Sequence, residues 1–318
     1  MKSAIIVGVK GQDGQLLFNH LINNGYSVIG IDINYNISTK NNWENTISIS
    51  RFNEVANLVK SVQPHEIYYL AAYHHSSEDK IENEIELLIN SYTTNVLSYV
   101  NFLEAVRQYS ADTKLFYAAS SLIFGNPSKP KQNENTIFNP KSIYSLTKYS
   151  GLKLSEYFRE QYSLFISVGI LYNHESHLRP VNFVSKKIVK TAVEIKNNIK
   201  NKLHIGNIDA DIDWGYAGDF VEAFVKILSC KKPNNFIVST GQTYKLKNFI
   251  IYVFSYLDLD WKKHVVIDEN LLTRKSINNL CGDNTKISEI TGWRPKHNLE
   301  DLAKLMVDKE IEEFDKNQ

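Results

Sequence analysis

The chain has 318 residues, of which 43% are hydrophobic and 22% are charged, a balance that predicts a soluble globular protein of one large domain or two closely joined ones. A formal net charge of +1 gives no bulk electrostatic attraction for nucleic acid or a membrane surface, so we predict neither partner. The two cysteines, Cys230 and Cys281, match no zinc or redox spacing and indicate a reducing compartment. No stretch approaches the ~18 apolar residues of a membrane helix, and the first apolar run is too short for a signal peptide, so we expect a cytoplasmic protein.

Short apolar runs alternate with helical patterns through the first half of the chain. The runs predict strands at 3–8, 27–32, 66–72, 114–119 and 164–171, and the helical patterns lie at 15–24, 54–62, 83–109 and 140–161. Strands that are almost entirely apolar and alternate with helices are typical of a parallel sheet covered on both faces. The predicted fold is therefore α/β, a Rossmann-type doubly wound parallel sheet.

The alternation weakens after about residue 175. Helical patterns remain at 182–196, 246–256 and 300–315, with short strands between them. This part predicts a smaller C-terminal α/β domain that caps the sheet and supplies a substrate pocket.

A glycine-rich turn, GVKGQDG, follows the first strand and opens the first helix. Gly8, Gly11 and Gly14 allow a tight turn in which backbone N–H groups reach a pyrophosphate at the helix N-terminus. Asp32 ends the second strand, where its carboxylate can accept hydrogen bonds from a ribose diol and would repel a ribose phosphate. The next residues, INYNIS, contain no lysine or arginine. The pattern predicts NAD as the cofactor in preference to NADP.

A tyrosine and a lysine four residues apart begin the helix after the fourth strand. Tyr144 and Lys148, in SIYSLTK, share one helical face. A lysine ammonium and oxidised nicotinamide would stabilise the tyrosine phenolate, which then takes the proton of a substrate hydroxyl as hydride leaves the same carbon. Ser120, at the end of the neighbouring strand, is placed to hydrogen-bond that hydroxyl. These three residues are the predicted catalytic set.

Together, the glycine turn, the strand-end serine and the YxxxK pair resemble the extended short-chain dehydrogenase/reductase family. Five further segments resemble its GDP-mannose 4,6-dehydratase branch: PHEIYYLAA (64–72), SIYSLTK (142–148), LYNHESHLRPVNFVSKKI (171–188), GNIDADIDWGYAGDFVEA (206–223) and GDNTKISEITGWRP (282–295). This resemblance spans nearly the whole chain. It implies a GDP-sugar substrate and a homodimer or homotetramer paired through the long helices at 83–109 and 140–161.

The resemblance also implies residue roles and domain limits. Asn173 would hold the sugar diphosphate, and Val184 and Lys187 would meet guanine. The expected cofactor residues are Gly8, Gly11, Gln12, Asp13, Gly14, Asp32, Ser48, Leu70, Ala71, Ala72, Tyr144, Lys148 and Leu171; the expected substrate residues are Ser121, Asn173, Val184, Lys187 and Arg274. We expect an NAD-binding domain of residues 1–175, rejoined by about 209–242, and a nucleotide-sugar domain of 176–208 and 243–318. No metal site is predicted.

Several positions depart from the dehydratase pattern. In FYAASSLIFG (116–125), Leu122 stands where the dehydratases carry the glutamate base that removes the sugar 5-proton, and leucine accepts no proton. Ile212 replaces an arginine expected near the diphosphate, a charge that Arg274 would supply instead. Ser48 replaces an aspartate near adenine.

These departures predict oxidation at the sugar 4-position without loss of water, giving a 4-keto sugar and NADH. GDP-D-glycero-D-manno-heptose is the expected substrate, since the resemblance extends to GDP-heptose enzymes of bacterial capsule pathways. The alternatives are a GDP-sugar 4-epimerase or 4-reductase, a 4,6-dehydratase that uses another base such as Glu134 or Glu175, and a cofactor-sensing protein without turnover.

Overall fold

A computed structural model describes residues 1–33, 35–39, 46–74, 83–268, 271 and 280–316. Arg274, a predicted substrate residue, lies outside these ranges. The strands are β1 Ser3–Val7, β2 Ser27–Asp32, β3 Tyr35–Ser38, β4 Glu66–Tyr69, β5 Lys114–Ser120, β6 Lys131–Gln132, β7 Ile166–Leu171, β8 Asn173–Glu175, β9 Leu203–Ile205, β10 Asp211–Ile212, β11 Trp214–Tyr216, β12 Asn235–Val238, β13 Tyr244–Lys245, β14 Val265–Ile267 and β15 Cys281–Gly282. The helices are α1 Gln12–Asn23, α2 Phe52–Val62, α3 Glu84–Tyr92, α4 Ser98–Tyr109, α5 Ile143–Tyr162, α6 Val184–Lys196, α7 Ala217–Leu228, α8 Leu246–Tyr256, α9 Trp261–His264, α10 Thr285–Thr291 and α11 Leu299–Lys316.

Seven strands form the main sheet, in the order β12-β7-β5-β4-β1-β2-β3. Every neighbouring pair is parallel except β2 with β3, which close an antiparallel edge hairpin. The chain leaves β1 toward β2 on one side and reaches β4 on the other, so the strand order reverses at β1. In open α/β sheets, ligands bind in the crevice at such a reversal, beyond the carboxyl ends of the strands.

Helices cover both faces of this sheet, as the apolar strands predicted. One buried cluster joins the sheet to α2, α4 and α5, and a second joins it to α1 and α7. A third cluster, built from α6, α8, α11 and β9, forms a separate lobe. Strand β12 completes the sheet, and Ile287 and Trp293 also pack in the sheet's second cluster although they follow residue 243. The domain limits given above stay a prediction.

Most predicted elements are present with shifted ends, but the helices α7, α9 and α10 were not predicted, and neither were two further features. The edge strand β3 is one of them, because its half-buried residues show no apolar pattern. The other is a π-helical turn, Thr93–Leu97, that interrupts the expected helix over 83–109. Within that turn the Asn95 amide donates to Thr147 Oγ1 at 2.9 Å and accepts from the Tyr73 N–H at 2.7 Å, which ties the turn to α5. π-turns of this kind are often found at functional sites.

Helix α5 is fixed closely against the sheet. Ser142 and Ser145 form a reciprocal capping box at its N-terminus. About two turns into the helix, Gly151 lies directly against the buried ring of Tyr117 in β5, where any side chain would overlap the phenol. The missing side chain therefore sets how closely α5 approaches β5.

Candidate active site

One cleft of about 500 Å³ opens at the carboxyl ends of the sheet strands, between the sheet and the second lobe. Its floor is the glycine turn, and α5 and the ends of β5 and β7 form one wall. Residues of β8, the loop before α6, and α6 itself form the opposite wall. The cleft therefore lies at the strand reversal, where the fold favours a ligand site.

The glycine turn packs so closely on neighbouring backbone that side chains at its glycines would not fit. Gly8 has a φ of +95°, and a Cβ there would come within 2.8 Å of the Ala71 nitrogen. A Cβ on Gly14 would overlap the Gly8 carbonyl oxygen. Gly11 caps α1 without any side-chain hydrogen bond, so no capping side chain competes for the first N–H groups of the helix. These features fit a dinucleotide pyrophosphate.

Asp32 lies beside this turn at the end of β2. Its Oδ2 accepts the backbone N–H of Lys10 at 2.7 Å, and its Oδ1 accepts the N–H of Ile33 at 2.8 Å. A carboxylate has about four acceptor positions, so both oxygens can still receive ribose hydroxyls. The arrangement fits the adenosine ribose of NAD.

The predicted catalytic residues lie together in the cleft. Ser120 ends β5, and Tyr144 and Lys148 lie one turn apart on α5. Lys148 is 2% exposed; its Nζ donates to the Ala118 carbonyl at 2.8 Å and lies 5.8 Å from the centre of the Tyr144 ring. The strand thus holds the lysine ammonium close enough to Tyr144 to interact electrostatically with its phenolate.

Burial acts on both titrating groups of the pair. It raises the pKa of Tyr144 to about 12, although the positive charge of Arg179 and a hydrogen bond with Ser120 oppose the rise. Burial lowers the pKa of Lys148 to about 7, against the attraction of Asp13. Tyr144 therefore does not ionise readily to the phenolate that would act as the base. Its ionisation needs more positive charge nearby than Lys148 alone supplies.

A buried polar network that includes residues outside the predicted set lines the opposite wall. His174 Nε2 lies 2.8 Å from Asp13 Oδ2, its Nδ1 lies 2.7 Å from the Tyr172 carbonyl, and its ring stacks on Phe220 at 4.5 Å. Burial would raise the pKa of Asp13, but His174 and Arg179 outweigh it and hold that pKa below its ordinary value. The network holds Asp13 ionised at the floor of the cleft.

Arg179 is a functional candidate that the sequence reasoning missed. Its guanidinium pairs with Glu175 at 3.0 Å and also donates to the His174 carbonyl at 3.0 Å. It lines the cleft and acts on the charge of Tyr144. The arginine in NHESHLRP, directly after the motif that carries the resemblance, was the available signal.

Two departures from the dehydratase pattern face the cleft. Leu122 and Ile212 both line it, so the cleft has apolar surface where the resemblance led us to expect a carboxylate and a guanidinium. Glu175 also lines the cleft, but its Oε2 accepts from Ser185 at 2.6 Å and pairs with Arg179. Glu134 is not among the residues that line it, and its Oε1 accepts the N–H of Ile237 at 2.9 Å.

The cleft contains most of the predicted site residues. Those that line it are Gly8, Gly11, Gln12, Asp13, Gly14, Leu70, Ala72, Ser120, Tyr144, Lys148, Leu171, Asn173 and Val184. Ala71 contributes only backbone, packed against Gly8. Ser48 does not line the cleft; its N–H is bonded to Glu54 and its hydroxyl to Ser50. Ser121, which is buried, and Lys187 on α6 do not line it either. Among the described residues, no group of three or more candidate ligands could hold a metal ion.

A Rossmann-type sheet with a glycine turn, a strand-end serine and a Tyr–Lys pair on the following helix defines an extended short-chain dehydrogenase/reductase. The sequence profile of one such family, GDP-mannose 4,6 dehydratase, matches residues 5–306. The chain is 35% identical to GDP-mannose 4,6 dehydratase 1 of Arabidopsis thaliana, with 98% of this chain and 90% of the relative covered. It is 30% identical to GDP-mannose 4,6-dehydratase of Sinorhizobium fredii, with 98% and 97% covered. The chain belongs to the GDP-mannose 4,6-dehydratase family, so the predicted family is confirmed.

Solved structures confirm the predicted fold. RMD from Pseudomonas aeruginosa, complexed with NADPH, superposes with a TM-score of 0.84 at 17% identity, covering 98% of this chain and all of that one (100%). The dTDP-glucose 4,6-dehydratase of Bacillus anthracis, in complex with NAD, gives a TM-score of 0.81 at 18% identity, covering 99% and 98%. Both of those structures are complexes with a nicotinamide dinucleotide.

Proposed function

We propose that this protein is an NAD-dependent 4-dehydrogenase of a GDP-sugar, with GDP-D-glycero-D-manno-heptose as its substrate. One observation carries the proposal. Leu122 lines the cleft where the family's proton-abstracting glutamate is expected, while Ser120, Tyr144 and Lys148 stand together beside it. The groups needed to oxidise a hydroxyl are present, and the group needed to eliminate water is replaced.

In the proposed reaction, the Tyr144 phenolate takes the proton of the sugar 4-hydroxyl, and Ser120 hydrogen-bonds the same oxygen. Lys148 and Arg179 supply positive charge that favours the phenolate, because the buried phenol ionises poorly without it. NAD, when bound, would accept the hydride from the 4-carbon. Loss of one proton and one hydride turns the alcohol into a ketone.

Neither glutamate considered above as a substitute base, Glu134 or Glu175, is well placed for the next step of a dehydratase. General base catalysis contributes typically ~10²–10⁴-fold, and the isobutyl side chain of Leu122 supplies none of it. Glu175 is held by Arg179 and Ser185, and Glu134 by the backbone of β12. The proposed product therefore keeps its 6-hydroxyl.

The test is mass spectrometry of the product made from GDP-mannose and from GDP-D-glycero-D-manno-heptose, with reduced cofactor followed by absorbance. Loss of two hydrogens, with reduced cofactor formed in equal amount, supports a 4-dehydrogenase. The better substrate of the two decides between mannose and heptose. An unchanged mass with an inverted 4-carbon identifies an epimerase, and consumption of reduced cofactor identifies a reductase.

A 4,6-dehydratase is the second candidate, because the curated relatives named above carry that activity in their names. Its signature is loss of water without net change in the cofactor. That result would mean that another group replaces the glutamate at Leu122. A protein that binds NAD but converts neither sugar would instead be a cofactor sensor.

We also propose that the protein is a homodimer or homotetramer, paired through α3, α4 and α5. Apolar side chains on these helices and on the π-helical turn between α3 and α4 face solvent, among them Ile85 at 70% exposure and Leu97, in the turn, at 58%, together with Ile89 and Leu146. Light scattering should give at least twice the chain mass for the wild type and a smaller mass for Leu97→Lys. A monomeric wild type would refute the assembly.

No helix in the described part of the chain is long and apolar enough to cross a membrane. The cytoplasmic location stays a prediction. Fractionation of cells that express the full chain would test it.

A further inference from the structure

The cofactor end of the cleft carries a lysine that the proposed chemistry does not use. Lys10 lies in the glycine turn, and its side chain is exposed and lines the cleft. Its backbone N–H donates to Asp32 Oδ2 at 2.7 Å. The Lys10 backbone and the carboxylate that selects the ribose are therefore in direct contact, and a lysine side chain is long enough to reach whatever that carboxylate binds.

A tyrosine holds the lysine ammonium on the same side. In the β2–β3 hairpin, Tyr35 is the direct register partner of Asp32. Residues opposite each other in an antiparallel pair have Cα atoms only ~4.5–5.5 Å apart. The Lys10 Nζ lies 4.1 Å from the centre of the Tyr35 ring, a cation–π contact. Carboxylate, aromatic ring and ammonium thus form one patch at the end of β2.

This patch combines opposite preferences for the ribose 2′-position. The Asp32 carboxylate binds a 2′-hydroxyl and repels a 2′-phosphate. A lysine ammonium is a compact cation that binds phosphate. The segment after Asp32 contains no basic residue, but Lys10 brings a cation from the glycine turn on the other side of the carboxylate.

We propose that Lys10 is a second determinant of cofactor choice, a phosphate-binding cation whose effect Asp32 masks. With Asp32 ionised, the site prefers NAD, but Lys10 offsets part of the repulsion of NADP. With the charge of Asp32 removed, Lys10 makes the site one that binds a 2′-phosphate. This inference concerns the dinucleotide only and stands whichever sugar reaction the cleft performs.

The test is equilibrium binding of NADH and NADPH, followed by nicotinamide fluorescence, in a cycle of four proteins: wild type, Lys10→Gln, Asp32→Asn and the double variant. Asp32→Asn should bind NADPH at least about tenfold more tightly than the wild type, because a charge-assisted bond to phosphate contributes a factor of roughly ten or more. The double variant should lose most of that gain. Adding Lys10→Gln to the wild type or to Asp32→Asn should change the affinity for NADH much less than it changes the affinity for NADPH.

The single variant Lys10→Gln gives an independent measurement if Asp32→Asn folds poorly. It should weaken NADPH binding several-fold and leave NADH binding nearly unchanged. Lys153→Gln is the matched control, since that lysine lies on the solvent side of α5 and pairs with Glu156. Equal NADPH affinity for Asp32→Asn and the double variant would overturn the proposal, as would equal NADPH affinity for the wild type and Lys10→Gln.

Discussion

The buried ammonium of Lys148 should make the protein less stable than a variant that lacks it. Burial lowers the pKa of this lysine from 10.5 to about 7. At 1.36 kcal/mol per pKa unit, that shift means that holding the charged form in the fold costs on the order of 5 kcal/mol below pH 7. Lys148→Met removes this cost but leaves the Ala118 carbonyl without its hydrogen bond, a loss of roughly 1–3 kcal/mol. We expect the variant to be the more stable protein below pH 7, by roughly 2–4 kcal/mol.

The pH dependence gives this prediction its sign. An unfolded lysine keeps its proton up to pH 10.5, whereas folded Lys148 releases its proton near pH 7. Between these values the unfolded state binds more protons, so the free energy of unfolding of the wild type rises with pH. The methionine variant has no such titration. Its advantage should be largest below pH 7 and should shrink steadily toward pH 10.5.

Urea denaturation of both proteins, freed of dinucleotide, measures the difference between about pH 6 and about pH 10. Lys153→Met serves as the control, because Lys153 is half-exposed and its pKa is raised through Glu156. The control should change stability little across the range. Wild-type and Lys148→Met curves that stay parallel from pH 7 to pH 10 would refute a buried, titrating ammonium.

Three further substitutions test the site. Tyr144→Phe should lower turnover by about 10²-fold or more, since it removes the proposed base. Isothermal titration should show dinucleotide binding unchanged. Equal loss of turnover and of dinucleotide binding would argue for a structural role. Leu122→Glu should introduce loss of water, seen as a product lighter by one water molecule, and Leu122→Gln is the control that adds polarity without a base. Gly14→Ala should abolish dinucleotide binding, because its Cβ would overlap the Gly8 carbonyl oxygen. The Cβ of Gly11→Ala would lie 3.3 Å from the same oxygen, a tight contact without overlap, so this variant should retain more binding. Equal affinities would contradict the reasoning about the turn.

Local patterns were sufficient to predict the main sheet and the centre of the site. A buried parallel strand must be apolar along its whole length, so β1, β2, β5 and β7 were readable directly from the sequence. The spacing of Tyr144 and Lys148 fixes them on one helical face. A strand-end serine is placed by the strand itself. Each of these positions is determined by residues nearby in the chain, so it can be predicted from the sequence alone.

The features that were missed depend on distant partners. The π-turn is stabilised by contacts of Asn95 with Tyr73 and Thr147, which no local pattern reveals. Arg179 reaches the cleft because its partners His174 and Glu175 lie on β8, behind the glycine turn. Ser121 directly follows Ser120 but opens a short 3₁₀ turn and is buried, so adjacent residues in one motif do not share the cleft.

The contact of Gly151 with Tyr117 means that the position of Tyr144 and Lys148 does not depend on which side chains line the cleft. The height of Tyr144 and Lys148 above the sheet depends on backbone touching a buried ring, on the same face of α5 but further along the helix, at a residue that does not line the cleft. Cleft positions such as Leu122 can then change while the phenol stays in place. The steps that follow the proposed oxidation can change without loss of the residues proposed to perform it. Because Gly151 has no side chain, α5 keeps its position on the sheet, and the same fold can give different products when other cleft residues change.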